Sequence, residues 1–166
     1  MKADTRQAGL RLLVALALSY ATAGIGAAVT DLGPWYFALR HPPWKPPDAA
    51  FGVIWSVIFT LCAISGWLAW QAADTSALRR RVAWLFGANA VLNIVWSAIY
   101  FKLQRPDWAL LEVVFLWLSI AALIAGLWRL RRWAAWLLIP YLVWVSIAAV
   151  LNLHTVQLNA PFSGLL

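Results

Sequence analysis

Five long apolar runs dominate the sequence, and they leave little choice of fold. They cover residues 12–29, 50–72, 82–101, 108–128 and 133–153. A helix needs about 20 mostly apolar residues to cross a bilayer, and each run is close to that length. Backbone polar groups in lipid must be hydrogen-bonded internally, which favours helices for continuous runs of this kind. The sequence therefore predicts an all-α integral membrane bundle of five transmembrane helices, in a single domain covering residues 1–166.

Composition supports the bilayer as the solvent of this chain. Hydrophobic residues make up 64% of the sequence and charged residues 11%, whereas soluble domains carry about 25% charged residues. A formal net charge of +7 can indicate nucleic-acid binding. Here the cations lie in clusters between the apolar runs, which is the pattern that membrane topology produces. We therefore expect no nucleic-acid partner.

The first apolar run allows a second interpretation. Cations precede it, and residues 21–23 resemble a signal-peptidase site. A cleaved signal peptide would leave a four-helix protein. The uncharged stretch continues to Val29, which is long enough to span a membrane and favours a fifth helix.

The cations also predict an orientation. Nine belong to the N-terminus and the second and fourth connections, namely Lys2, Arg6, Arg11, Arg79, Arg80, Arg81, Arg129, Arg131 and Arg132. The other side holds four, which are Arg40, Lys45, Lys102 and Arg105. The positive-inside rule then predicts a cytoplasmic N-terminus and an outside C-terminus, in the inner (cell) membrane of a bacterium.

Thirteen tryptophans are the most unusual feature of the composition. Six lie near predicted helix ends, where interfacial belts explain them: Trp70, Trp84, Trp108, Trp128, Trp133 and Trp136. Trp55, Trp96 and Trp144 lie deeper, and we expect them to face the interior of the bundle.

Two predicted helix faces combine amides with aromatic rings at helical spacing. The third run has Asn89, Asn93, Trp96 and Tyr100, and the fifth has Tyr141, Trp144, Ala148 and Asn152. Buried amides in lipid need partners, so Asn93 and Asn152 could serve as interhelical hydrogen bonds, as ligand contacts, or as both.

A proline-rich loop, residues 30–48, lies over the same side and carries Trp35 and Trp44. Together these features predict an aromatic pocket under a lid, suited to large planar ligands that stack on rings. Arg40 and Lys45 on the lid could meet carboxylates of such a ligand.

Three ordered motifs resemble those of the TspO/translocator-protein family, the tryptophan-rich sensory proteins also known as the peripheral-type benzodiazepine receptor family. The motifs are Trp35-Tyr36, Leu39, Pro43-Trp44-Lys45-Pro46-Pro47, Phe51-Gly52 and Trp55; then Asn93, Trp96 and Tyr100-Phe101; then Pro140-Tyr141-Leu142, Trp144, Ala148 and Leu151-Asn152.

The resemblance implies a five-helix bundle, often a homodimer, that binds tetrapyrroles such as protoporphyrin IX or haem and in some members sterols or benzodiazepine-type drugs. It implies ligand contacts at Trp35, Trp44, Trp55, Asn93, Trp96, Tyr141, Trp144 and Ala148, to which the shared helix face adds Asn152. Some members occupy outer membranes, so that location stays open. Sterol binding is disfavoured, because no Lys or Arg follows Arg132 to complete the cholesterol motif of animal members.

The expected function is therefore membrane binding of planar hydrophobic ligands, most of all tetrapyrroles, in transport, sensing or stress regulation. One alternative is an enzyme that degrades bound porphyrin in light; others are a sterol- or lipid-binding protein and a purely structural bundle. The sequence contains no catalytic triad, metal cluster or nucleotide motif, so we expect no catalytic or metal-binding residues and no required cofactor.

Two further predictions concern single helices. Small residues at Ala83 and Gly87, on one face with Ile94, predict either a homodimer interface on the third helix or, equally well, tight packing within one subunit. Glu112 is the one acid placed within an apolar run. We expect it to pair with Lys102 or Arg105, with a proton-relay role as the alternative.

Overall fold

Helices account for almost all of the regular structure. The computed structural model describes residues 2–162, and side chains are described from Arg6 onward. The helices are α1 (Lys2–Val29), α2 (Pro34–Ala38), α3 (Asp48–Ala72), α4 (Ser76–Ser97), α5 (Pro106–Trp128), α6 (Arg132–Trp136) and α7 (Ile139–Asn159), and a π-helical turn (Ala98–Lys102) continues α4. In this part of the chain five helical segments are long and apolar enough to span a membrane. The predicted all-α membrane fold is confirmed.

The helices extend beyond the apolar runs that predicted them. α4 begins at Ser76 because the Thr75 hydroxyl caps it, accepting a hydrogen bond of 3.2 Å from the Leu78 amide. α1 begins at Lys2. Hydropathy locates the segment that lies in lipid, whereas capping and backbone hydrogen bonding decide where a helix ends, so the two boundaries need not coincide.

The fifth predicted helix is divided. α6 ends at Trp136, and α7 starts at Ile139 with Pro140 in its first turn. Proline fits there because the first turn of a helix needs no amide donor. α7 then runs six residues past the predicted end, to Asn159.

The five long helices form a closed arrangement. α1 packs along both α3 and α4, α5 packs between α4 and α7, and α6 returns to α3. Five hydrogen bonds among the described residues join α1 to α3: Trp67 to Ala8, Arg11 to Gln71, Ser19 to Phe59, and Tyr20 to both Ser56 and Thr60. α1 is thus an integral element of the bundle.

The bundle has two chemically different ends. We call the end with Arg11, Arg79–Arg81 and Arg129–Arg132 the basic end, and the end covered by residues 30–48, the lid, the lid end. The core near the basic end is aliphatic and includes Leu123, Leu127 and Leu138. The core toward the lid end combines aliphatic residues, such as Leu116 and Ile120, with the aromatic rings of Tyr141 and Trp144.

Candidate ligand-binding site

The structure brings four of the sequence-predicted residues into one aromatic cluster toward the lid end. Trp144 and Tyr141 of α7 are buried there, and Trp55 of α3 and Trp96 of α4 pack against them. The rings of Trp55 and Tyr141 meet edge to face with centroids 6.0 Å apart. Phe51 meets Trp144 in the same way at 5.5 Å. Rings from three helices therefore converge, as the sequence predicted.

Asn93 of α4 forms a hydrogen bond to this cluster. Its Nδ2 donates to the Tyr141 hydroxyl at 3.1 Å, and both residues are buried. One turn away, Asn89 Nδ2 donates to Ser119 Oγ at 2.8 Å. The α4 amides thus form interhelical hydrogen bonds, and Asn93 does so with a residue of the aromatic cluster.

Asn152 has a structural role that its spacing alone did not show. It is buried, and its amide nitrogen lies 3.0 Å from the Pro106 carbonyl oxygen and its oxygen 3.1 Å from the Leu110 amide, in the orientation that satisfies both groups. Pro106 and Leu110 belong to the first turns of α5. Asn152 therefore binds α7 to the start of α5 with both of its polar atoms.

The π-helical turn connects the lid to the cluster. Tyr100 within that turn is buried, with its ring 5.2 Å from Trp96 and 6.4 Å from Trp35 of the lid. π-helical turns occur often at functional sites. The sequence predicted the helix face on which Tyr100 lies, but no residue pattern predicted the π-helical turn.

Trp44 and Ala148 lie at the margin of the aromatic cluster. Trp44 is exposed, with its edge against His154 of α7 at 5.6 Å. Ala148 is half-buried, one turn beyond Trp144. His154 fell outside the apolar run, but α7 extends far enough to include it.

The lid is held by polar contacts at its middle and at its end next to α3. The Arg40 backbone amide donates to Asn159 Oδ1 at 2.8 Å, and Asn159 Nδ2 donates to the Arg40 carbonyl at 2.8 Å. Nearer α3, Asp48 accepts from the Tyr36 hydroxyl at 2.7 Å and forms an ion pair with Lys45. Burial and the Asp48 carboxylate raise the pKa of Tyr36, which therefore stays a neutral donor.

Two indole nitrogens in the site have no partner among the described residues. They are the Nε1 atoms of Trp96 and Trp144, and both are buried. Buried tryptophan N–H groups usually find an acceptor, and leaving one unpaired costs about 1–3 kcal/mol. The cluster therefore contains two N–H donors without an acceptor among the described residues.

The predicted pairing of Glu112 is wrong. Arg105 instead pairs with Asp107 at 2.5 and 2.8 Å and stacks over Trp108 at 4.1 Å. Asp107 is the nearer partner because it is only two residues from Arg105. Both Glu112 carboxylate oxygens are buried without a hydrogen-bond partner in the described part of the chain.

A separate cavity of about 550 Å³ lies between α1, α3 and α4, and the sequence did not predict it. Asn89, Asn93 and Tyr141 form its polar inner wall. Of the residues predicted for a dimer interface, Ala83 and Gly87 border this cavity, and Ile94 is half-buried outside it. The small side chains on α4 were the sequence feature that could have indicated this cavity, but they were equally consistent with contact between subunits.

Comparison with known proteins agrees with this architecture. The TspO/MBR family profile matches residues 12–158. Protein CrtK of Rhodobacter capsulatus is 31% identical over 150 residues, covering 90% of this chain and 94% of the relative. The tryptophan-rich protein TspO of Chlorobaculum tepidum is 33% identical over 153 residues, covering 90% and 95%. The translocator protein of Ovis aries is 32% identical over 127 residues, covering 75% of each chain. A family match over nearly the whole chain, together with five membrane-length helices, shows that this chain belongs to the TspO/MBR family of membrane proteins.

Proposed function

We propose that this protein binds a planar tetrapyrrole, such as protoporphyrin IX or haem, in the aromatic cluster beneath the lid, and that it acts in transport, sensing or stress regulation. Relatives carry the names tryptophan-rich sensory protein, in Cereibacter sphaeroides, and translocator protein, in Ovis aries. These names are consistent with a protein that senses or moves a ligand within the membrane.

One observation carries the proposal. The buried N–H groups of Trp96 and Trp144 have no acceptor among the described residues, although both rings pack in the same cluster. A planar ligand that stacks on these rings and supplies an acceptor would satisfy both donors. Each stacking partner contributes about 0.5–1.5 kcal/mol beyond the area that it buries.

The lid supplies charge for the ligand's edge. Lys45 already pairs with Asp48, and its ammonium lies 5.4 Å from the centre of the Tyr36 ring. Arg40 is exposed, and only its backbone is engaged by Asn159. Arg40 is therefore the better placed of the two cations to meet a propionate, the anionic substituent of a porphyrin.

Tryptophan fluorescence tests this proposal directly. Stoichiometric protoporphyrin IX should quench the fluorescence of the purified protein. Trp96→Phe and Trp144→Phe each keep a ring but remove the indole N–H, so each should weaken the titration between several-fold and about tenfold.

Trp128→Phe is the matched control. Trp128 packs against Trp136 at the basic end, with ring centroids 5.6 Å apart, on the other side of the bundle from the cluster. Its substitution should leave the affinity unchanged. If all three substitutions had equal effects, the porphyrin would be partitioning non-specifically into detergent or lipid, and the site would have to be abandoned.

A further inference from the structure

The cavity between α1, α3 and α4, which we call the wedge, lies toward the basic end of the bundle. α1 stays against α3 throughout, from the hydrogen bond between Trp67 and Ala8 to the one between Ser19 and Phe59. The contact between α1 and α4 is not uniform along the two helices. Toward the lid end, a Cβ on Gly26 would lie 3.9 Å from Ser97 Oγ, whereas a Cβ on Gly87 would meet no atom within 4 Å.

The wedge opens sideways, toward the surface that lipid would cover. Val14 and Leu18 line it from α1, yet they are 51% and 67% exposed. Gly87 lines it from α4 and is also exposed. Apolar side chains that line a cavity and are also exposed border an opening rather than a sealed void. We call this wedge the α1–α4 cleft.

The length of the cleft matches one leaflet of a bilayer. Along α1 it extends from Leu10 to Thr22, which is about 18 Å at a rise of about 1.5 Å per residue. One leaflet contributes about half of the roughly 30 Å hydrocarbon core. A single acyl chain lying along the membrane normal therefore has the length that this cleft accommodates.

The Arg11 side chain lies where the headgroup of such a lipid would lie. Arg11 lines the basic end of the cleft, is half-buried, and uses one nitrogen to donate to Gln71 Oε1 at 2.7 Å. Four other guanidinium N–H donors remain. Basic pockets between membrane helices are typical binding sites for anionic lipid headgroups.

We propose that the α1–α4 cleft binds one acyl chain of an anionic phospholipid, whose phosphate is held by Arg11. The apolar walls suit the chain, the lateral opening admits it from the bilayer, and the excess of cations at this end attracts the headgroup. The cleft adjoins the aromatic cluster, because Asn93 and Tyr141 line its inner wall, but lipid binding there does not depend on tetrapyrrole binding.

Native mass spectrometry tests the proposal with phosphatidylglycerol and phosphatidylcholine of identical acyl chains. The full-length protein should retain one phosphatidylglycerol per subunit and bind phosphatidylcholine more weakly. Arg11→Gln should weaken phosphatidylglycerol binding about fivefold, because one cation near the membrane surface contributes that much. It should weaken phosphatidylcholine binding less, because the choline cation of that lipid offsets the charge of the phosphate. Arg129→Gln, at the same end but outside the cleft, should weaken phosphatidylglycerol binding by less than Arg11→Gln does.

A second pair of variants tests the chain. Gly87→Leu would project a side chain into open space in the cleft and should abolish retention of both lipids. Gly52→Leu is the matched control, since Gly52 is equally open but lies on α3 at the lid end. Circular dichroism and gel filtration verify that both variants fold.

Three results would overturn the proposal. Unchanged lipid retention in folded Gly87→Leu would show that the acyl chain lies elsewhere. Conversion of a dimer to a monomer by Gly87→Leu, with lipid retained, would show that a second copy of the chain covers the cleft. One-for-one displacement of phosphatidylglycerol by protoporphyrin IX would make the cleft a tetrapyrrole site, and Trp96→Phe would then leave porphyrin affinity unaffected.

Discussion

Glu112 is buried in α5 with neither carboxylate oxygen hydrogen-bonded to any described residue. An uncompensated buried polar group costs about 1–3 kcal/mol, and more if it is charged. Glu112→Leu removes both oxygens at similar volume, so we expect the free energy of unfolding to rise by about 1–3 kcal/mol. Thermal unfolding in detergent measures the change.

Ligand binding provides the complementary measurement on the same variant. The protoporphyrin titration of Glu112→Leu should match that of the unmodified protein. A stabilised variant that no longer binds would place Glu112 in the ligand site. A destabilised variant would mean that the carboxylate has a partner that the described residues do not supply.

Asn152, unlike Glu112, stabilises the fold, because both of its polar atoms bind the backbone of α5. Asn152→Ala would leave the Pro106 carbonyl and the Leu110 amide without that partner. We expect a loss of about 1–3 kcal/mol in the free energy of unfolding, measured in mixed micelles of increasing denaturing detergent. Tetrapyrrole affinity of the folded fraction should be unchanged; weakened binding at full stability would instead identify Asn152 as a ligand contact.

At the scale of elements, the lid contains a group whose charge depends on pH. His41 packs against Tyr36 with ring centroids 5.4 Å apart, and its Nδ1 is buried without a partner among the described residues. Burial, and secondarily the Lys45 ammonium, lower the pKa of His41, while Asp48 opposes that shift. The closed lid therefore favours neutral His41.

The sign of the pH dependence follows from this shift. A histidine pKa below its ordinary value of about 6.5 gives stability that is present above that pH and lost as the pH falls. We expect lid amides to exchange hydrogen faster as the pH falls from 7 to 5, after correction for the intrinsic pH dependence of exchange. His41→Phe should remove this acceleration.

His154 supplies the control for the lid measurement. It is the chain's other histidine and packs against Trp44. The acceleration should persist in His154→Phe. If it disappeared there and remained in His41→Phe, the titrating group would be on α7 rather than in the lid.

At the scale of the whole molecule, the cations predict how the bundle crosses the membrane. Nine of thirteen Lys and Arg residues belong to the side that carries the N-terminus, and that side should be cytoplasmic. A reporter enzyme active only outside the cytoplasm should work when fused after Leu166 and fail when fused before Met1. The reverse pattern would place the lid and the aromatic cluster on the cytoplasmic side.

The sequence by itself determined the number of membrane helices and much of the aromatic face. Apolar length is a one-dimensional property, and the bilayer converts it directly into a spanning helix. The i, i+3 and i+4 spacing likewise placed Asn93 and Trp96 on one face of α4, because the helix is a regular object that needs no tertiary information.

The tertiary structure alone decided which polar group meets which partner. Asp107 rather than Glu112 pairs with Arg105, and Asn152 binds the α5 backbone. It also decided that α1, α3 and α4 leave a cleft beside Gly87. Such features depend on the relative position of separate helices. That position is set by the packing of many side chains at once, and no local pattern in the chain determines it.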